Sequence, residues 1–362
     1  MFDRIRELRP LFYMNMGDFH YLDIRTNSRP RFRAAYDSVL ASPQQSELYR
    51  QVPFVYMWDD HDFGGNNSDR RMFNDAPRAT YEEFVPHYPL VFGHGGPISQ
   101  SFSVGRVKFI LTDLRSARDA VTNRDDGAKS MMGAQQKEWF KRQLLEANGR
   151  YPLICWVSTV PWIGLPGTNV YRTVRTNEFG FIHHTNLIGR TNNEPFGTRT
   201  NAAQGFRRRG RSEPRPDEDH WSVFATERRE IADFIKSNHI SGVCILHGDS
   251  HMLAADDGSN SDYATGGGAP IPVMCAAPLD QEPSLKGGPY SQGVYRVRQG
   301  ESGFGLLTVD DWGDRVYVYY SGRNNRNKEK VSLSFSVPAL NGGPPENVAE
   351  RRTEKAAAPD RQ

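Results

Sequence analysis

The chain has 362 residues, enough for a substantial core in roughly one to three domains. Its 45 basic and 43 acidic residues leave a net charge of +2, which excludes a polybasic nucleic-acid protein and an acidic disordered one, so no stable nucleic-acid complex is expected. No apolar run approaches the roughly 18 residues of a membrane span, residues 1–18 do not read as a signal peptide, and the three cysteines form no Cys-x-x-Cys pair, which argues against a cysteine zinc cluster and for buried thiols.

In chain order, Phe2, Ile5 and Leu8 recur at helical spacing, and Pro10 ends that helix. "LFYMNM" (11–16) reads as a buried strand running into "GDFHYLD". Residues 31–50 suggest a helix broken or kinked near Pro43. "FVYMW" (54–58) is a second buried strand, and 78–85 a short helix. Alternation on both sides of Gly105 predicts a hairpin over 101–115. A strong helix follows over 134–147, with Trp139, Phe140, Leu144 and Leu145 on one face. "PLICWVSTVPW" (152–162) is a buried strand, and residues 222–238 form a helix feeding the strand "SGVCILHGDSHM" (241–252). After about 270 the pattern is all strand, at 270–277, 304–312, 314–322 and 331–337. Strands alternating with helices predict α/β layers closed off by late antiparallel strands, in a domain over 1–340. The polar stretch 163–218, with its "RRRGR" run (207–211), reads as an insertion or lid, and the Pro-rich tail 341–362 as disordered.

Three apolar strands share a feature: each ends in a turn rich in metal-ligand residue types. The first offers Asp18, His20 and Tyr21. The second, "WDDHDFGGNN" (58–67), offers Asp59, Asp60, His61, Asp62, Asn66 and Asn67. The third offers His247, Asp249 and His251. Ligands in open α/β folds bind at the carboxyl ends of strands, so these turns are expected to converge. Carboxylate and amide oxygens suit hard cations, and imidazole suits transition metals. A histidine beside a ligand aspartate is placed to protonate a leaving alkoxide. Arg115 and Arg118, in "LTDLRSAR", follow an apolar strand and offer guanidinium forks that match a phosphate; the plainer reading of Arg115 is an ion pair with Asp113 or a helix cap. "RRRGR" reads more simply as a solvated loop than as a substrate-steering patch, and His94, His183, His184 and His239 as surface or core residues.

These residues resemble the PhoD-type alkaline phosphatases, distant members of the calcineurin-like metallophosphoesterases. The likeness runs in order through "MGDFHY", "WDDHDFGGNN", "TDLRSAR", "QQKEWFKRQL", "DHWSVFATERREIADFI" and "HGDSHM". It implies an α/β fold of two packed β-sheets flanked by helices, and metal-dependent hydrolysis of phosphate esters by hydroxide held on the metals. The ligand set it implies is Asp18, Tyr21, Asp60, Asp249 and His251, with Asp219 a further acidic position, around ferric iron and calcium. It makes His61 the catalytic acid and places Arg115 and Arg118, with Asn66, against the substrate phosphate. Relatives have a strand before the helix at 2–8 that delivers an early metal ligand, so the expectation is a chain lacking that strand, with export left open. Two alternatives stay open: a phosphodiesterase acting on nucleic-acid or lipid diesters, and an inactive homologue that binds metal or phosphate.

Overall fold

Apolar alternation sorts the strands of this chain into layers. The computed structural model describes residues 1–72, 75–164 and 219–340, and the backbone of 181–182. Most of the expected insertion, with its "RRRGR" run, His183 and His184, and the tail 341–362 lie outside the described residues.

The elements are α1 (Phe2–Glu7), β1 (Tyr13–Asn15), α2 (Arg29–Leu40), α3 (Pro43–Gln51), β2 (Phe54–Tyr56), α4 (Asp60–Phe63), α5 (Asp75–Phe84), β3 (Gln100–Val104), β4 (Val107–Thr112), α6 (Ala134–Ala147), β5 (Leu153–Ser158), β6 (Phe181–Ile182), α7 (Ala225–Ser237), β7 (Val243–His247), β8 (Leu253–Asp256), β9 (Val273–Ala276), β10 (Val294–Tyr295), β11 (Gly303–Asp311), β12 (Arg315–Asn324) and β13 (Glu329–Pro338). The helix expected over 31–50 is two helices, because Pro43 cannot donate a backbone hydrogen bond and instead opens α3 after Ser42.

An eight-stranded sheet runs in the order β3-β4-β5-β7-β9-β8-β10-β6. Its centre, β4-β5-β7-β9, is parallel. Strand β5 is buried at every position, as a central strand covered on both faces must be. Its side chains divide by parity. Ile154 and Trp156 join the core under α6 and α7, with Phe140, Leu144 and Ile231. Leu153, Cys155 and Val157 face the other way, toward Val316, Val318 and Tyr320 of β12. That second layer consists of the parallel pair β1-β2 and the antiparallel sheet β11-β12-β13. The two packed layers with flanking helices are the expected fold class.

Strand β9 corrects one detail. It was expected among the late antiparallel strands, but it lies parallel to β7, because the chain first forms β8 on the far side and then returns between them. In the second layer, β1 and β11 do not pair with each other. Both line a largely apolar channel of about 690 Å³. Leu246 and Met274 line it from the large sheet, Phe2 and Ile5 from α1, and Asp18 and Asp249 also border it. Among the described residues, no helix is long and apolar enough to cross a membrane.

Candidate metal centre

The ends of β1, β2 and β7 carry the three acidic turns, and the fold brings them together. Gly17 makes the first approach possible. Its φ is +108°, and a Cβ there would lie 2.3 Å from the Cβ of Asp59, so any side chain would push the first two turns apart. Asp18 and Asp249 both take left-handed backbone conformations, with φ of 58° and 54°.

Asp62 joins the same two turns. Its Oδ1 accepts from the Phe19 and His20 amides at 2.7 and 3.0 Å, and its Oδ2 from the Asp59 amide at 3.0 Å. Both oxygens of Asp62 are therefore committed to the backbone. Asp60 is nearly as constrained: its oxygens accept from the His61 amide at 2.9 Å and the Asn67 amide at 2.6 Å.

Two groups of side chains place ligand atoms within 4.8 Å of one another: Asp18 with Asp60 and His61, and Asp59 with Asp60 and Asp249. Asp60 belongs to both. Tyr21 and His251 adjoin the first group, the Tyr21 hydroxyl lying 2.6 Å from Asp18 Oδ2 and 2.9 Å from His251 Nε2. His251 Nδ1 donates to the Glu282 carbonyl at 2.5 Å, which leaves the Nε2 lone pair facing Tyr21. His61 Nδ1 lies 2.5 Å from Asp23, and its ring packs 4.0 Å from that of Tyr21, centroid to centroid.

The arginines behave differently from a free phosphate fork. Arg115 donates through Nε to Asp59 and through Nη1 and Nη2 to Asp219, at 3.2 and 2.8 Å, and Arg118 Nη1 also donates to Asp219. Asp219, expected as a further ligand, therefore sits inside an arginine pair and belongs to neither ligand group. It is held in place by the 3-10 turn Trp221–Phe224 that follows, where Trp221 is locked against Ser158 at 3.0 Å. Asp113, the plainer partner considered for Arg115, instead accepts backbone amides of Arg115 and Ser116 and caps their turn. Asn66 is exposed on the loop after α4. His247 is buried and held by Tyr290 and a backbone carbonyl; burial lowers its pKa to about 4. Two polar residues in contact with the expected set were missed, Asp23 beside His61 and Lys286, whose Nζ lies 2.7 Å from Asp249 Oδ1; Asp59, offered by the second turn but outside the implied ligand set, is grouped with Asp60 and Asp249.

The electrostatics show what the site favours. Burial, then the neighbouring carboxylates Asp60, Asp59 and Asp62, push Asp18 well above the ordinary aspartate range. Burial pushes Asp59 up to about 8 despite Arg115, and raises Asp249 despite Lys286. For Asp60, burial is outweighed by Arg115, His61 and Lys286, and the pKa falls. The same balance lowers Asp219, where Arg115 and Arg118 win over burial. Asp18 Oδ1, Asp59 Oδ2 and Asp249 Oδ2 are buried with no hydrogen-bond partner. An unpartnered buried carboxylate oxygen is costly, and a cation among these three removes the cost. The donor set thus fits metal ions.

A stability prediction follows. Carboxylates with raised folded pKa values bind more protons folded than unfolded, so stability falls as pH rises between the unfolded and folded values. Chelator-treated protein should lose thermal stability from about pH 4, the ordinary aspartate value, to about pH 8, where Asp59 ionises. Metal-loaded protein should lose much less. Melting curves across this range check it; parallel curves with and without metal would contradict it.

Comparison with known proteins identifies the family. The family model of the PhoD-like phosphatases matches residues 15–284. A solved structure titled "Structure of PhoD" superposes with a TM-score of 0.55 at 12% sequence identity, covering 99% of this chain and 74% of that one. No curated protein sequence matches. The match spans all three acidic turns and the arginine turn that carries Arg115 and Arg118, and on it the chain belongs to the PhoD-like phosphatase family, whose members hydrolyse phosphate esters with the help of metal ions.

Proposed function

We propose that this chain hydrolyses phosphate esters at a centre for two ions that share Asp60. Asp18, Tyr21 and His251 beside Asp60 would hold one ion, and Asp59, Asp60 and Asp249 the other. The observation that carries this reading is the membership of Asp60 in both ligand groups. A phenol and an imidazole beside carboxylates suit ferric iron, and an all-carboxylate group suits calcium. When bound, the ions supply Lewis-acid polarisation of the phosphoryl oxygens and lower the pKa of water.

The protein's own side chains do the rest. His61 is the acid that protonates the leaving oxygen, and Asp23 at Nδ1 holds its ring. Arg115 and Arg118 fix Asp59 and Asp219 and add positive charge behind the site, a longer-range contribution to neutralising the phosphate.

The test is elemental analysis of the purified chain together with hydrolysis of a chromogenic phosphomonoester and a phosphodiester. About two metal ions per chain, iron and calcium among them, and turnover lost on chelation are expected, with the monoester the faster substrate. Undiminished turnover by metal-free protein would overturn the reading, and a faster diester would reassign the substrate class.

A further inference from the structure

Resting on the phosphatase reading above, we infer that Lys286 is the residue that contacts the substrate phosphate from solvent, a role the motif reading gave to the two arginines. The argument begins with which donors are free. The nitrogens of Arg115 are committed to Asp59 and Asp219, and the residue is 0% exposed. Arg118 is also 0% exposed, with Nη1 on Asp219 and its guanidinium over the Phe224 ring at 5.3 Å; its Nε and Nη2 have no hydrogen-bond partner among the described residues, but both are buried. All three nitrogens of Arg115 are committed, and the unpartnered donors of Arg118 are shut off from solvent, so neither guanidinium is open to an arriving anion as it stands.

Lys286 differs on each point. Its side chain is 27% exposed, and its one ion pair is with Asp249 Oδ1 at 2.7 Å. An ammonium group has three N–H donors, so two have no acceptor among the described residues. The ion pair fixes Oδ1 of Asp249 and leaves Oδ2, the buried unpartnered oxygen, for a cation. Lys286 therefore stands beside a candidate metal ligand with donors to spare, where the phosphoryl group of a substrate would meet the ions.

The loop that carries Lys286 is built onto the same turn. The Ser284 amide donates to the His251 carbonyl at 3.2 Å, and the Ser284 hydroxyl to the Ser250 carbonyl at 3.1 Å. The Gly288 amide donates to the Ile163 carbonyl at 3.0 Å. The ammonium is thus positioned before any substrate arrives, which lowers the ordering cost of binding.

The test compares the unaltered chain with K286Q and K286R. Inorganic phosphate binding is measured by calorimetry on metal-loaded protein, metal content by elemental analysis, and KM and kcat on a phosphomonoester. K286Q should keep its metal and lose about 10- to 100-fold in phosphate affinity, the worth of a charge-assisted hydrogen bond. KM should rise by a similar factor, and K286R should recover most of the loss. In the unaltered chain, phosphate should protect Lys286 from amine acylation, read by peptide mass, a measurement that does not depend on how the variants fold. Metal-loaded K286Q with unchanged phosphate affinity, or absent protection, would overturn the assignment. Loss of metal from K286Q would also overturn it, making Lys286 a positioning residue for Asp249. Phosphate binding that depends on Lys286 without turnover would sink the phosphatase reading and leave this one standing.

Discussion

An Asp60→Ala chain is expected to retain little metal and to hydrolyse phosphate esters roughly three orders of magnitude more slowly than the unaltered chain, since the ions supply several kcal/mol of transition-state stabilisation. Asp60 belongs to both candidate ligand groups, so its loss weakens both at once. The metal-free fold should respond little. Asp60 is a leading electrostatic cause of the raised pKa of Asp18 and also acts on Asp59 and Asp249. Its removal relieves that repulsion at the cost of the hydrogen bonds that Asp60 accepts from the His61 and Asn67 amides. Chelator-treated Asp60→Ala should therefore melt near the chelator-treated unaltered chain, while added metal no longer raises the melting temperature. Elemental analysis, melting curves and turnover together check this. Retention of both ions by Asp60→Ala would show that the two groups do not share this residue.

The second large effect concerns the leaving group. A general acid contributes about 10²- to 10⁴-fold, and most where the leaving oxygen is basic. His61→Ala should therefore slow an alkyl phosphate by that factor and a nitrophenyl phosphate far less, with metal content maintained. Asp23→Asn, which keeps the ring's neighbour but alters the contact that orients it, should give a smaller loss with the same dependence on leaving group. His61 also lies within ligand distance of Asp18 and Asp60. If it serves as a ligand instead, metal falls in His61→Ala and both substrates slow equally.

Much of this site could be read from the sequence because its chemistry is local. Asp18, Asp60 and Asp249 each follow an apolar strand within a few residues, and a strand end is a predictable place. The second-layer strands β11 to β13 were legible from their alternation. Asp59 and Asp62 could not be separated from Asp60, because three aspartates in one four-residue run differ only in where the turn aims them. The partners of Arg115 were equally hidden: Asp219 lies 104 residues away, just before the turn whose Trp221 bonds to Ser158. Asp23 and Lys286 carry no motif; each acquires its position from a loop folded against a distant turn. Strands β8 and β10, four and two residues long, are too short to show a period.

The clamp made by Asp62 has a consequence for motion. One carboxylate bonds the amides of Phe19, His20 and Asp59, so neither turn can open without releasing the other. These three amides should exchange their hydrogens with solvent as one cooperative unit. The acidic turns that make up the centre then breathe together, and a cation bound between them slows the exchange of all three at once.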